Sequence, residues 1–224
     1  MSAPGDALRT SLRTSAIMLA FTVAFTALMA FTYDRTRPMI EASAQQAQMR
    51  LIDEILPPDG YDNALLDDLV LLGPTPALGL DKGGRVWRAR KAGEPVALIV
   101  EATAPDGYAG RIALVVAINT NGLLSGVRVT THKETPGLGD YIDPKKDRRK
   151  DMPWIGQFAV AGWRDADPAS WAVRKDGGTF GYRTGATISA RAVVGAVGRA
   201  TAWAVAHQQD LFSAPAGSTF GAQP

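Results

Sequence analysis

The chain has 224 residues, a length that accommodates one domain of ordinary size together with additional segments. Its 24 Lys and Arg residues nearly balance 22 Asp and Glu residues, so the charge excludes a strong positive field that would hold a nucleic-acid partner. The lack of cysteine excludes disulfides and thiolate-bound iron–sulfur clusters, and two histidines, His132 and His207, argue against a His-rich metal site. Any redox group must therefore be organic or a guest that the chain does not itself ligate.

An uncharged, predominantly apolar run covers residues 15–33, which is the length needed to cross a hydrocarbon core of roughly 30 Å. We predict a transmembrane helix there, preceded by a short N-terminal tail at residues 1–14. A cleaved signal peptide is the alternative, because Arg9 and Arg13 precede the run. The run is long for a signal peptide, however, and no Ala-x-Ala site follows it. Basic residues flank both ends, so charge alone does not decide the orientation.

Apolar residues continue at roughly helical spacing until Pro57-Pro58 ends the pattern. The spacing predicts a stalk helix within residues 34–58, for which Pro38 provides a favourable start. An acidic, leucine-rich stretch and the sequence GPTP follow, and we assign residues 59–82 to a linker region.

The period then changes to that of β-strands. Segments rich in β-branched residues are separated by the turn dipeptides Ala92-Gly93, Asp106-Gly107 and Asn121-Gly122. The four segments are residues 85–91, 95–103, 110–118 and 123–131. This pattern predicts an antiparallel meander of four strands.

A long stretch without periodicity, residues 133–153, follows the fourth strand and indicates a surface loop of the kind that often carries function. Within it, residues 145–151 (KKDRRKD) alternate in charge. This is more typical of a solvated face than of a surface that binds an acidic partner or lipid headgroups. Residues 154–161 suit a short helix or strand, and residues 171–183 predict a hairpin around Asp176-Gly177-Gly178.

A last helix is predicted over residues 188–209, where Ala, Val and Trp recur at helical spacing and two glycines permit close approach to the sheet. The fold class expected is therefore α+β. It comprises an N-terminal transmembrane helix, a stalk helix, an antiparallel β-sheet and a long C-terminal helix packed on the sheet. The folded domain is assigned to residues 83–212, and residues 213–224 to a C-terminal tail.

The segment Thr184-Gly185-Ala186-Thr187 lies where the last helix begins. The first amides of a helix lack internal partners and the helix dipole adds partial positive charge, so a phosphate held at Thr187 would be stabilised there. Gly185 and Ala186 leave room for a bulky group, and Arg183 and Arg191 add positive charge. The simpler alternative is that the threonine only caps the helix.

A Pro- and Gly-rich loop, residues 132–140 (HKETPGLGD), directly follows a predicted strand. Its glycines would let backbone amides approach a flat ring, and its polar side chains would hydrogen-bond the edge of that ring. The alternative is a solvated turn whose glycines only satisfy local geometry. The sequence contains no dinucleotide fingerprint, P-loop, HExxH or GxSxG motif, so hydrolase chemistry is not favoured.

Together these segments resemble a known family. The sequences GYAGRIALVVAI (107–118), THKETPGLGD (131–140) and RTGATISARAVV (183–194), in this order behind one transmembrane helix, resemble the FMN-binding G subunit of the Rnf electron-transport complex. The resemblance covers nearly the whole chain. It implies FMN attached through a phosphoester to Thr187 by a separate flavin transferase. One position departs from the family pattern, since Gly181 stands where an aspartate usually lies six residues before the modified threonine.

The resemblance also implies which residues contact the cofactor. From the helix start these are Thr184, Gly185, Ala186, Thr187 and Ile188, and from the loop His132, Glu134, Thr135, Gly137, Leu138 and Gly139. No catalytic residue and no metal ligand is expected, because the redox chemistry belongs to the flavin. Of the five tryptophans, Trp154 is the best candidate to stack on the flavin because it follows the glycine loop, although most aromatic residues fill cores.

The function implied is electron relay within a membrane complex that couples electron transfer between ferredoxin and NAD to ion movement. Its partners would be the other subunits and the lipid bilayer of a bacterial inner membrane, with the globular domain on the periplasmic side. Two alternatives remain open. One is the C subunit of a sodium-pumping NADH:quinone reductase, and the other is a flavin-free, membrane-tethered scaffold, which only Gly181 supports.

Overall fold

The computed structural model describes residues 4–159, 161 and 170–221, which divide between two compact units, Met1–Gln48 and Met49–Pro224. The helices in the described part are α1 (Pro4–Asp53), α2 (Thr187–Ala206) and α3 (Gln208–Ser213). The strands there are β1 (Leu69–Leu72), β2 (Gly84–Lys91), β3 (Glu94–Gly107), β4 (Gly110–Asn119), β5 (Leu124–Thr131) and β6 (Thr219–Phe220).

Helix α1 contains the apolar run. Among the described helices it is the one long and apolar enough to cross a membrane. The large apolar side chains of the run, from Ile17 to Tyr33, are exposed, which is the surface that a helix in a bilayer requires. The transmembrane and stalk helices were expected as separate segments, but they form one continuous helix with Pro38 inside it. The helix ends at Asp53, before the predicted limit at residue 58.

The sheet has the strand order β5-β4-β3-β2-β1-β6. Neighbouring strands are antiparallel, except that β1 and β6 are parallel. The predicted meander corresponds to β2 through β5. Strand β3 continues through Gly107, so the turn to β4 is made at Tyr108 and Ala109 and not at the predicted dipeptide. Strands β1 and β6 lie in the segments assigned to the linker and the tail. Both are short and have little periodic signal, and β6 forms one edge of the sheet.

Both faces of the sheet are covered. Because side chains alternate along a strand, β3 directs Leu98, Val100 and Ala102 to one face and Ala97 and Ile99 to the other. The first face packs under α2. On the second face lie the last turn of α1 and the segment after it, whose buried residues are Ile52, Ile55, Leu56 and Leu65. The end of the predicted stalk is therefore part of the core of the globular unit.

The hairpin predicted for residues 171–183 is wrong. Residues Arg174–Asp176 form a 3-10 turn, and Val173 makes only an isolated bridge to Phe180. The reason is burial, because Trp171, Val173 and Phe180 all pack into the core under α2. A Cβ added to Gly198 would lie 3.1 Å from the Cβ of Trp171, so this helix glycine makes room for the tryptophan and not for the sheet.

The buried side chain of Arg88 links β2 to residues in and just after α3. The side chain of Arg88 is ion-paired with Asp68, and its Nη1 donates to the carbonyl oxygen of Leu211 at 3.0 Å and to that of Ala214. Arg88 is only 2% exposed, so these partners are needed to offset its desolvation. The carboxyl-terminal segment is consequently part of the domain.

Candidate functional site

A cavity of about 240 Å³ lies between the loop that follows β5 and the first turn of α2. It is lined by Tyr108, Glu134, Thr135, Leu138, Gly139, Gly185, Ala186, Thr187, Ile188 and Ser189. The two sequence segments singled out for cofactor binding thus meet at one place. Of the predicted binding residues, His132, Gly137 and Thr184 do not line the cavity. Tyr108 and Ser189 are additional, although both fall within the segments that carry the family resemblance.

Thr187 is the first residue of α2 and lines the cavity with a half-buried side chain. The capping alternative does not hold, because the N-cap position is occupied by Ala186 and no side chain caps the helix there. Within residues 4–159, 161 and 170–221, the Thr187 hydroxyl has no hydrogen-bond partner. This hydroxyl therefore lies at the amino end of a 20-residue helix, where free amides and the helix dipole favour an anion.

The approach to Thr187 is open on the side of Gly185. This residue has a φ of +88°, in the left-handed region that glycine adopts without strain, and a Cβ added to it would meet no atom within 4 Å. Exposed side chains of Tyr108, Leu138 and Ile188 surround the cavity. The site is therefore an apolar recess that opens to solvent beside a helix amino terminus.

A buried carboxylate forms the floor of the cavity. Glu134 is 4% exposed, and its Oε2 accepts a hydrogen bond of 2.5 Å from the hydroxyl of Ser189. Its Oε1 accepts from the backbone N–H of Ala109 at 3.1 Å. Glu134 thus joins the β5 loop, the β3–β4 turn and the first turn of α2. The single hydroxyl of Ser189 at a helix start gave no sequence signal for this long-range contact.

Gly139 leaves the space in which the Glu134 carboxylate meets the Ser189 hydroxyl. A Cβ at this position would lie 2.6 Å from Ser189 Oγ and 2.7 Å from Glu134 Oε2. We expect Gly139→Ala to break the Glu134–Ser189 hydrogen bond and to destabilise the domain by about 1–3 kcal/mol, because a methyl group is forced into filled space. Binding of the flavin that the family resemblance implies should weaken as the cavity narrows. Denaturant unfolding and absorbance spectra measure the two effects.

The matched control for this change is Gly156→Ala, since a Cβ at Gly156 meets no atom within 4 Å. It should shift the free energy of unfolding by less than about 0.5 kcal/mol. Equal behaviour of the two variants would contradict the steric role assigned to Gly139.

The segment before Thr187 is fixed by Tyr141. The hydroxyl of this buried side chain donates to the carbonyl oxygen of Ala186 at 3.1 Å and accepts from the backbone N–H of Arg183 at 3.3 Å. Burial raises the pKa of Tyr141, and the neighbouring Arg183 only partly opposes that rise. The phenol therefore stays protonated and keeps its donor role toward Ala186.

Asp147 holds the same segment through its ion pair with Arg183. It is fully buried, ion-paired with Arg183, and accepts backbone N–H groups of Arg149 at 2.9 Å and Trp154 at 2.8 Å. Burial alone would raise the pKa of Asp147, but the two amides and the Arg183 guanidinium outweigh it and hold that pKa below its usual value. The carboxylate is thus charged at neutral pH and anchors both the loop and Arg183.

The remaining predicted loop residues shape the loop. The Nδ1 of His132 accepts the backbone N–H of Glu134 at 3.1 Å, which turns the chain toward the cavity. Gly137 has a φ of +75°, and its N–H donates to Asp140 Oδ1 at 2.9 Å. These contacts exclude the alternative of a plain solvated turn, because Gly139 and the three residues after it are buried.

Gly181 and Trp154 lie behind the site and not in it. Trp154 donates from Nε1 to the carbonyl oxygen of Gly181 at 2.7 Å and packs edge-on against Tyr141 and Phe158. It is therefore a core residue, as are Trp87 and Trp171, whereas Trp163 lies outside the described residues. The N–H of Gly181 donates to Gln157 Oε1 at 2.7 Å, so the backbone at this position is well held without an aspartate.

The geometry suits a phosphate joined to a flat ring. The phosphate would lie at the amino end of α2, and the ring would lie between the loop and the exposed apolar side chains. Since typical pockets that enclose a ligand have volumes of about 300–1,000 Å³, this smaller cavity would leave part of such a ring exposed. An exposed edge is what electron exchange with another redox centre requires.

Two family models and several curated relatives match this chain. Residues 107–202 match the FMN-binding domain family, and residues 1–55 match the RnfG N-terminal region. The G subunit of the ion-translocating oxidoreductase complex of Pseudoalteromonas atlantica is 42% identical over 88% of this chain and 90% of its own length. The G subunit of the same complex in Salmonella typhi is 46% identical over 87% of this chain and 91% of its own length. The crystal structure of Shewanella oneidensis NqrC aligns at 21% identity and a TM-score of 0.41, covering 69% of this chain and 71% of that one.

Proposed function

The chain belongs to the G-subunit family of ion-translocating oxidoreductase complexes, and on this premise we propose that it carries FMN as a phosphoester on Thr187 and relays electrons. The observation that carries the proposal is the Thr187 hydroxyl, which has no partner among the described residues and lines a cavity at the amino end of α2. No other hydroxyl in the TGATIS segment combines these properties, since Thr184 does not line the cavity and Ser189 is bonded to Glu134.

The flavin, when bound, supplies one- and two-electron redox chemistry, and the protein supplies position and environment. The helix amides and dipole stabilise the phosphate, so the tether is held without a dedicated basic side chain. The Glu134 carboxylate and the β5 loop fix the recess for the ring, while Tyr108, Leu138 and Ile188 surround its open side. A covalent tether also prevents loss of the cofactor to solvent.

The chain acts as an electron-transfer subunit of an Rnf-type membrane complex. The relatives are named as G subunits of ion-translocating oxidoreductase complexes, and this favours the Rnf type over the alternative, the C subunit of a sodium-pumping NADH:quinone reductase. The match to the FMN-binding domain family disfavours the flavin-free scaffold. Electron exchange between ferredoxin and NAD, coupled to ion movement, is the activity we propose for the whole complex.

We further propose that α1 anchors the chain in a bacterial inner membrane, with the globular unit on the periplasmic side. The exposed apolar surface of α1 supports the anchor. A separate flavin transferase would attach the flavin, and the exposed position of Gly185 gives it access to Thr187.

Mass spectrometry of the full chain from a host that contains the transferase tests this assignment. Trypsin releases the peptide 184–191 (TGATISAR), and we expect its mass to increase by that of FMN less one water, with fragmentation placing the addition on Thr187. The denatured protein should fluoresce as a flavin in a gel. An unmodified peptide from transferase-positive cells would contradict the proposal, and modification of Thr184 or Ser189 would relocate the site.

A further inference from the structure

The loop from Lys145 to Asp151 does not present the mixed charge that its sequence suggests. Its central carboxylate, Asp147, is fully buried and neutralised by Arg183. The basic residues on both sides are exposed: Lys145, Lys146, Arg148, Arg149 and Lys150. Burying one carboxylate therefore converts an alternating sequence into a mainly positive surface, which we call the basic loop. Asp151 is the exposed carboxylate that remains within it.

The cations of the basic loop are not compensated. Within residues 4–159, 161 and 170–221, none of the five forms an ion pair with a carboxylate. By contrast, most of the other arginines that the structure describes in the globular unit are paired, for example Arg85 with Glu101, Arg111 with Asp81 and Arg128 with Glu54. Unpaired, exposed charges of one sign produce a field that attracts an oppositely charged surface.

The basic loop adjoins the cavity. The position of a Cβ on Gly137 lies 3.5 Å from Arg148 Nη2, and the next residue, Leu138, lines the cavity and is 55% exposed. The exposed side chains of Tyr108 and Ile188 lie on the same recess. The combination of an apolar centre and an unpaired charged edge is that of a transient protein interface.

We propose that the basic loop is the docking surface for an electron-transfer protein that presents an acidic face to the cavity. This inference rests on the proposed function, since a partner would exchange electrons only with a flavin held in this cavity. A protein partner is favoured over a lipid surface because lipid bound at the basic loop would cover the cavity with hydrocarbon and block electron exchange. Electrostatic attraction would act mainly on the association rate and would weaken with salt.

The test uses the full chain in uncharged detergent with two haem proteins as probes, acidic cytochrome b5 and basic cytochrome c. Binding is measured first on Thr187→Val protein, which lacks the proposed flavin, so the result does not depend on the cofactor. We expect cytochrome b5 to bind at low salt, cytochrome c not to bind, and the affinity for cytochrome b5 to fall at least about tenfold in Lys145→Glu/Arg149→Glu.

The matched control is Lys91→Glu/Arg199→Glu, which changes the net charge equally at exposed positions outside the basic loop. It should change the affinity by less than about twofold. An equal loss in both double variants would show that only net charge matters and would overturn the docking surface. Absence of salt-dependent binding to cytochrome b5 would do the same.

The flavin-loaded chain gives the second measurement. After reduction, each flavin passes one electron to each of two ferricyanide ions and releases its protons to solvent. The rate with this anion should fall in the loop variant and with salt, whereas the rate with hexaammineruthenium(III), a cation, should rise. In nanodiscs, acylation of Lys145 and Lys150 should be the same with and without phosphatidylglycerol. Protection only in the anionic discs would assign the surface to lipid and overturn the proposal.

Discussion

Replacing Thr187 with valine is expected to abolish the covalent flavin while the domain stays folded. Valine has nearly the same shape as threonine but lacks the hydroxyl that would form the phosphoester. Because that hydroxyl has no hydrogen-bond partner among the described residues and the side chain is only half-buried, its loss should change the free energy of unfolding by less than about 1 kcal/mol. In-gel fluorescence of denatured protein and the mass of the intact chain measure the label.

Thr184→Val is the matched control, because it removes a hydroxyl from the same tryptic peptide at an exposed position that does not line the cavity. This variant should keep the full label. Retention of fluorescence by Thr187→Val would refute the assignment, and loss in both variants would indicate that the transferase reads the whole segment and not one hydroxyl.

Replacing Asp147 with asparagine is expected to cause the largest loss of stability. One carboxylate oxygen accepts from Arg149 and Arg183 and the other from Trp154, so an amide nitrogen would face a donor wherever it is placed. Breaking a buried pair costs about 3–5 kcal/mol, and we expect about 2–4 kcal/mol here, because Arg183 keeps 31% of its side chain exposed. Flavin content should fall together with the stability, because Arg183, the partner of Asp147, directly precedes the TGAT segment.

The lowered pKa of Asp147 predicts that the stability of the domain depends on pH. The pKa of Asp147 is lower in the folded chain than in the unfolded chain, so its stabilising contribution is complete above the unfolded value, at about pH 4 and higher. The contribution is lost as the pH falls from there through the folded pKa, because the unfolded state then binds more protons. Asp147→Asn should therefore flatten the acid limb of the stability profile measured by denaturant unfolding.

Asp151→Asn separates this effect from general loss of charge in the loop. Asp151 is exposed, so the change should lower the free energy of unfolding by less than about 0.5 kcal/mol and leave the acid limb unchanged. If Asp147→Asn were as mild as this control, the buried carboxylate would not be the anchor of the loop.

The central strands were predictable because their β-branched segments are separated by turn dipeptides, although β3 continues through the dipeptide Asp106-Gly107 and turns two residues later. Local chemistry decides such hairpins, and β2 through β5 follow it closely. It did not predict β6, a strand of two residues whose pairing depends on contact with β1. The hairpin expected around Asp176 failed for the same reason, since burial of Trp171 and Phe180 under α2 overrides the turn signal.

The site was partly predictable. The TGAT segment and the glycine loop carry recognisable sequence patterns, and both line the cavity. The contacts that hold them together were not predictable, because Glu134 with Ser189 and Asp147 with Arg183 are 55 and 36 residues apart in sequence. Asp147 in particular lies in a run of charges whose composition favours solvation. Only its burial shows that one member of the run points inward.

The attachment of the carboxyl-terminal segment to Arg88 affects how the protein matures. Leu211, whose carbonyl the guanidinium binds, lies 123 residues further along the chain, so β2 is synthesised long before its partner exists. Until then, the arginine cannot be desolvated without a large cost. The domain should consequently reach its final state only after residue 214 has been synthesised, and a nonsense mutation that stops the chain before residue 211 should yield a product that quality-control proteases degrade.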